Sequence, residues 1–202
     1  MRKKKLYILV GVLALLLVWV ITNVVIYYKS APDMELVKEA KEYCAKHGLN
    51  QSVVCMCDFS RHSGTPRFWI YDCEYDKVIA SSLCSHGCGG GSTASKPVFS
   101  NESGSNCSSL GMYKIVELGT MDSDLRCLKL DGLQTTNSNA RARNIYIHRN
   151  MMVNICRWGM WPAYMPLNSI LSAGCFAVSD QLLDTLISLT EASPVLLYAY
   201  DI

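Results

Sequence analysis

The 202-residue sequence predicts a mainly β domain, a sandwich or barrel with peripheral helices, preceded by one N-terminal transmembrane helix. Three observations carry this expectation. Residues 6–28 hold no charged side chain and follow a basic cluster. Residues 53–200 contain many short strand-like segments separated by polar turns. The regular alternation of strand and helix that marks a parallel α/β sheet is missing among them.

The N-terminus begins Met1-Arg2-Lys3-Lys4-Lys5, and within residues 6–28 only Thr22 and Asn23 are plainly polar. At 1.5 Å per residue such a helix spans roughly 34 Å, enough to cross the hydrocarbon core with some tilt. The leading cations keep that end cytoplasmic, so the rest of the chain is expected outside. A cleaved signal peptide would have an apolar region of roughly 7–15 residues. The one small-residue site here, Ser30-Ala31, is followed by Pro32, so an uncleaved single-pass anchor is expected. Five of the 19 Lys and Arg, and none of the 17 acids, lie in residues 1–29. The outer part carries fourteen basic against seventeen acidic side chains, a net −3, which argues against a nucleic-acid partner. Three segments follow: tail, anchor and tether over 1–32, a helix over 33–50, and a domain over 51–202.

Asp33 caps a helix that runs to His47 and stops at Gly48, with Leu36, Ala40, Tyr43 and Cys44 on its apolar face. Residues 53–59 and 67–71 read as strands joined by the turn chemistry of Arg61-His62-Ser63-Gly64-Thr65-Pro66. Residues 77–84 read as a third strand. Residues 85–109 are rich in Gly, Ser and Asn and form a long loop, of the kind that is usually functional or mobile. Strands are expected over 111–117 and 126–130, a turn at Asp131-Gly132 and a polar loop over 135–140. Residues 145–148 form a strand with Ile145 and Ile147 on one face and Tyr146 and His148 on the other. Residues 149–171, with Trp158, Trp161, Pro162 and Pro166, read as an irregular flap. Ser179 caps a helix from Asp180 to about Ala192 that turns Leu182, Leu183, Leu186 and Leu189 inward, Pro194 ends it, and 195–200 is the last strand.

The chemistry centres on Ser172-Ala173-Gly174-Cys175 and on His148, which closes a strand. A cysteine and a histidine suit acyl transfer: His148 takes the thiol proton, a third group orients the ring, and backbone amides at Gly174 meet the oxyanion. The same residues read equally as a buried small hydrophobe and a structural strand histidine. Ten cysteines outside a membrane invite a disulfide framework, but a free Cys175 leaves nine, and Cys55 and Cys57 share a strand face with Val53 as buried thiols do.

Several blocks together resemble the murein L,D-transpeptidase catalytic-domain family, over roughly residues 53–201. They are Ser85-His86-Gly87 with Gly89-Gly90-Gly91-Ser92, Lys96-Pro97-Val98-Phe99-Ser100-Asn101, and Cys107-Ser108-Ser109-Leu110-Gly111-Met112-Tyr113. Then come Leu130-Asp131-Gly132-Leu133 with Asn137-Ser138-Asn139-Ala140, Arg143-Asn144-Ile145-Tyr146-Ile147-His148, and Ser172-Ala173-Gly174-Cys175-Phe176-Ala177-Val178-Ser179. The resemblance implies an L,D-transpeptidase-like fold, Cys175 as nucleophile, His148 as its base, and Gly174 with the Cys175 amide as oxyanion hole. It implies a bacterial cell-wall enzyme without metal or cofactor. The reaction that the resemblance implies is release of terminal D-alanine from peptidoglycan stem tetrapeptides and formation of 3→3 cross-links, with residues 6–28 in the cytoplasmic membrane and the domain on its outer side. The alternatives are an L,D-carboxypeptidase using water, and an anchored wall-binding domain with a silent site. Two departures stand out: Ala173 replaces a histidine, and Phe176 and Ala177 follow the cysteine where the family usually has an arginine or asparagine. His86, Arg143, Arg149 and Ser172 are candidate substrate contacts, as are Arg141 and Arg157, each also readable as an ordinary surface or loop residue.

Two rivals are weaker. Cys84-Ser85-His86-Gly87-Cys88 has zinc-type ligands but no visible fourth. A sortase-like enzyme needs an arginine after the cysteine, and residues 176–202 contain no Arg or Lys.

Overall fold

The structure, a computed structural model, describes residues 2–28, 30–121, 125–156 and 172–202. Residues 1–30 form one unit and 31–202 another. In the first, α1 (Arg2–Tyr28) is a single helix whose span Lys3–Thr22 is long and apolar enough to cross a membrane by length and composition.

The second unit opens with α2 (Met34–His47). Asp33 caps it, its Oδ1 accepting from the amides of Glu35 at 2.9 Å and Leu36 at 3.1 Å. Gly48, at φ 64, ends it in the left-handed conformation that a glycine adopts without a Cβ penalty. Val37, Ala40 and Cys44 are fully covered, and they pack with Val54, Met56, Leu196 and Tyr200 on one side of the sheet. Leu36 and Tyr43, expected on the apolar face, sit at its margin and are only partly buried.

The sheet has eight strands: β1 (Val53–Asp58), β2 (Phe68–Asp72), β3 (Lys77–Ser82), β4 (Gly111–Thr120), β5 (Arg126–Gly132), β6 (Tyr146–Arg149), β7 (Phe176–Val178) and β8 (Val195–Tyr200). Their spatial order is β3-β2-β1-β8-β4-β5-β6-β7. The pairs β1–β8 and β6–β7 are parallel and the others antiparallel. The mainly β expectation holds. The main core lies on the face opposite α2, where Val53, Cys55 and Cys57 meet Phe68, Tyr113, Leu128, Ile147, Phe176 and Val178. It is sealed by α4 (Asp180–Thr190), capped by Ser179, through Leu182, Leu183, Leu186 and Ile187, with Leu189 partly buried.

Past β3 the chain runs along β7 and nearly closes the sheet. Ser179 donates its amide to Ser82 Oγ at 3.0 Å, Ala177 donates its amide to Ser85 Oγ at 3.3 Å, and the Ser85 amide reaches the Ala177 carbonyl at 3.0 Å. The Cys88 amide then meets the Ser172 carbonyl at 3.1 Å. Serine hydroxyls here take the place of half the acceptors that a strand would supply.

Four expectations need correction. β7 is a strand that the sequence does not signal, because its three buried residues show no alternation. α3 (Met151–Cys156) occupies the start of the segment read as irregular, its first turn held by Asn150 Oδ1 accepting from the Met152 amide at 2.9 Å. β4 runs on to Thr120. Asp131-Gly132 ends β5 rather than turning the chain. A Cβ on Gly132 would collide with the Asn137 carbonyl, so the bare backbone lets the 134–140 loop fold flat against the strand and carry the turn instead. The aromatics and prolines of the expected flap, with Arg157, lie outside the described residues.

Candidate active site

β6 and β7 lie side by side and parallel, with Ile147 opposite Phe176 and His148 opposite Ala177. Ile147, Phe176 and Val178 enter the core. By strand alternation Tyr146, His148 and Ala177 face the other way, and so does Cys175 one residue before β7. Cys175 therefore stands beside Tyr146, two residues before His148 along the same sheet face. A cavity of about 420 Å³ opens there, lined by Thr120, Met121, Arg143, Asn144, Tyr146, His148, Ser172, Ala173 and Cys175.

Both candidate side chains are nearly covered, Cys175 at 8% and His148 at 6% exposure. His148 Nδ1 lies 3.0 Å from the Arg149 carbonyl. A carbonyl only accepts, so Nδ1 carries the proton and Nε2 presents its lone pair. Burial pushes the imidazole below its ordinary value, opposed by that backbone hydrogen bond. Burial likewise pushes the Cys175 thiol up, opposed by the Tyr146 backbone and the Arg143 charge. The thiol donates to the Asn144 carbonyl at 3.4 Å. Asn144 itself stands at φ 55, a conformation asparagine tolerates better than most residues. The resting pair is a neutral thiol and a neutral imidazole.

The turn before Cys175 is tightly built. Gly174 has φ +123, and a Cβ there would meet the Cys107 carbonyl at 2.7 Å and Ile145 Cδ1 at 2.8 Å. Its amide donates to Ser172 Oγ at 3.0 Å, while the Ser172 hydroxyl donates to the Cys175 carbonyl at 2.7 Å. Ser172 thus both lines the cavity and closes the turn.

The remaining candidate residues are dispersed. Arg143 lines the cavity, but Nη1 donates to the Ser100 carbonyl at 2.8 Å and Nη2 to Ser105 Oγ and the Cys107 carbonyl. Arg149 is exposed and outside the lining; its carbonyl orients His148. Arg141 pairs with Asp131 and Glu117 on the surface. His86 is fully buried away from the cavity, its Nδ1 2.7 Å from Arg67 Nη2. Arg67, also fully buried, donates Nε to the Cys84 carbonyl and Nη1 to the Arg61 carbonyl and lies over Phe59. The zinc-type residues diverge accordingly: the Cys84 thiol turns to the Ser85 carbonyl, His86 faces Arg67 and Cys88 is exposed. Cys44, Cys55, Cys57, Cys73, Cys84, Cys88, Cys107, Cys127 and Cys175 are free thiols, and of these all but Cys88 are buried.

Thr120 and Met121 line the cavity without any sequence signal of their own. Tyr146 could have been found, because it alternates with His148 on one strand face. Phe176, at the position of one departure, is core: its ring stacks on Phe59 and meets Tyr113 edge-on.

A family model described as "L,D-transpeptidase catalytic domain" matches residues 29–200. No curated protein matches the chain. Among solved structures, an L,D-transpeptidase from Xylanimonas cellulosilytica DSM 15894 is similar at 15% identity and a TM-score of 0.42, over 79% of this chain and 68% of that one. An L,D-transpeptidase from Mycobacterium tuberculosis H37Rv is similar at 12% identity and a TM-score of 0.42, over 74% of this chain and 57% of that one.

Proposed function

The chain belongs to the family of L,D-transpeptidase catalytic domains, and from that premise we propose that it is a cysteine acyltransferase acting on peptidoglycan stem peptides. Cys175 attacks the carbonyl at the L-centre of the third stem residue while its proton passes to His148 Nε2. The tetrahedral oxyanion is met by the Cys175 amide. His148 returns the proton to the departing amine, terminal D-alanine leaves, and a thioester remains. The side-chain amine of a second stem then attacks the thioester, the sulfur departs, and a 3→3 cross-link forms. Water in place of that amine gives the L,D-carboxypeptidase outcome.

The observation that carries this reading is that His148 and Cys175 line one cavity, with His148 Nδ1 held 3.0 Å from the Arg149 carbonyl. A ring fixed by the Arg149 carbonyl at Nδ1 offers its basic nitrogen in the same cavity as Cys175. The neutral pair favours proton transfer during attack over a standing thiolate–imidazolium pair. Gly174 contributes through its conformation, since its own amide is committed to Ser172. The commitments of Arg143 support a role as cavity wall more than as a clamp for a stem carboxylate. The apolar helix α1 supports anchoring on the outer side of the bacterial cytoplasmic membrane, where such a substrate lies.

The test is Cys175→Ala against wild type on disaccharide tetrapeptides, following D-alanine release and dimer formation by mass. Wild type is expected to release D-alanine through a thioester on the Cys175 peptide, and the variant to fall to background. Release without dimers identifies the carboxypeptidase. Identical behaviour of the two proteins leaves the wall-binding reading.

A further inference from the structure

Two serines hold three successive peptide planes around the nucleophile. Ser172 takes the first and third, through the Gly174 amide and the Cys175 carbonyl. The plane between them joins Gly174 to Cys175, and its carbonyl receives the Ser108 hydroxyl at 3.1 Å. Ser108 accepts in turn from the Gly87 amide at 3.0 Å, so its single proton is directed to Gly174. Ser108 is buried and comes from the far end of the glycine-rich loop, 66 residues earlier in the chain. Arg143 holds the neighbouring Cys107 carbonyl, against which Gly174 is wedged.

A trans peptide is planar, so its C=O and N–H point in opposite directions. A hydroxyl that fixes the Gly174 carbonyl therefore fixes the direction of the Cys175 N–H. The Gly174 amide already serves Ser172, which leaves the Cys175 amide as the donor of this turn that can meet an oxyanion. We propose that Ser108 is a positioning residue: by holding the Gly174 carbonyl, its hydroxyl aims the Cys175 amide at the oxyanion formed when Cys175 is acylated. The inference rests on the reading of Cys175 as an acyl-accepting nucleophile.

Two reagents separate this role from general support of the fold. With p-nitrophenyl acetate, the Cys175 sulfur bonds to the acetyl carbon, the thiol proton passes to His148, the carbonyl oxygen becomes an oxyanion, and its collapse expels p-nitrophenolate. With iodoacetamide, the sulfur displaces iodide and no oxyanion forms. Both are followed on the full chain by mass of the Cys175 peptide. Ser108→Ala is expected to slow acetylation about 10- to 100-fold while alkylation changes by less than about twofold. Ser108→Thr keeps the hydroxyl and is expected to restore acetylation. If acetylation and alkylation fall together, or neither falls, the proposal is overturned. Where Ser108→Ala does not fold, Ser108→Thr decides: acetylation near wild type supports the role, and its loss overturns it. A wild type that is not acetylated at Cys175 overturns it as well. A wild type that is acetylated but releases no D-alanine from tetrapeptides overturns the peptidoglycan reading alone.

Discussion

Gly174 shows how much a single residue decides at the candidate site. Its positive φ and the carbonyl 2.7 Å from an added Cβ leave no room for any side chain. Gly174→Ala is expected to cost about 1–3 kcal/mol through backbone strain alone, measured by denaturant unfolding, and to abolish acyl transfer. The two reactive groups make a second prediction. His148 is depressed from 6.5 and Cys175 is raised from 9.0. The imidazole thus stays an unprotonated base to below pH 6.5, and the thiol stays protonated to above pH 9.0. The pH profile of kcat/KM should be flat between, with its acid limb centred below 6.5. An acid limb above 6.5, or thiolate absorbance near neutrality, would contradict the neutral pair. His148 is noticeable in the sequence because it stands at the end of a short alternating strand, and Cys175 only because a glycine and a polar turn precede it, since β7 itself carries no alternation. The contacts of Ser108 and Asn144 are not readable there, because their partners are brought to them from 66 and 31 residues away by the fold.

The long loop after β3 is the element the sequence describes least well. Its polar composition without periodicity suggests a functional or mobile segment, and side chains pin it at many points. Asn101 donates Nδ2 to the Thr135 carbonyl and Ser138 Oγ, each at 3.0 Å. It accepts the Asn139 amide at 3.1 Å on Oδ1, and the Asn139 side chain at 2.9 Å on its own carbonyl. Such bonds follow no sequence period, which is why a periodicity reading passes over them. Asn101→Ala is expected to cost about 1–2 kcal/mol and to raise amide hydrogen exchange over residues 100–107 and 135–139. Unchanged exchange there would show that the loop is held by other means. α2, in contrast, is legible nearly to the residue, since Asp33 and Gly48 are local signals. Asp33→Ala should lower stability by about 1 kcal/mol through loss of the cap.

At the scale of the whole molecule, burial of imidazoles links stability to pH. His62, His86 and His148 are all depressed, chiefly by burial, with His86 pushed down to about 3 beside Arg67. Each therefore binds protons more readily unfolded than folded. Stability from this source is fully present above 6.5 and is lost as pH falls through the folded values, over a window that for His86 runs from 6.5 to about 3. Denaturant midpoints at a series of pH values should fall across that window; a constant midpoint would mean that these rings are solvated. The division of the chain at residue 30 makes a further prediction. Because the sheet and its two cores lie within residues 31–202, a chain starting at Ala31 should keep the circular dichroism and melting temperature of the domain while losing the full chain's partition into detergent. The mainly β class was readable because most strands carry their own pattern. The closure of the sheet was not, since it depends on serines that look like any polar loop.

That closure also governs what can attach to the domain from the side. A β7 edge stripped of neighbours would offer its outward amide and carbonyl groups as a template for a foreign strand. Ser85 occupies the amide and carbonyl of Ala177, and Ser82 and Cys88 hold Ser179 and Ser172 on either side of the strand, all from within the same chain. Variants at Ser82 and Ser85 should therefore betray themselves first as self-association in concentrated solution, through edge-to-edge stacking of otherwise native molecules.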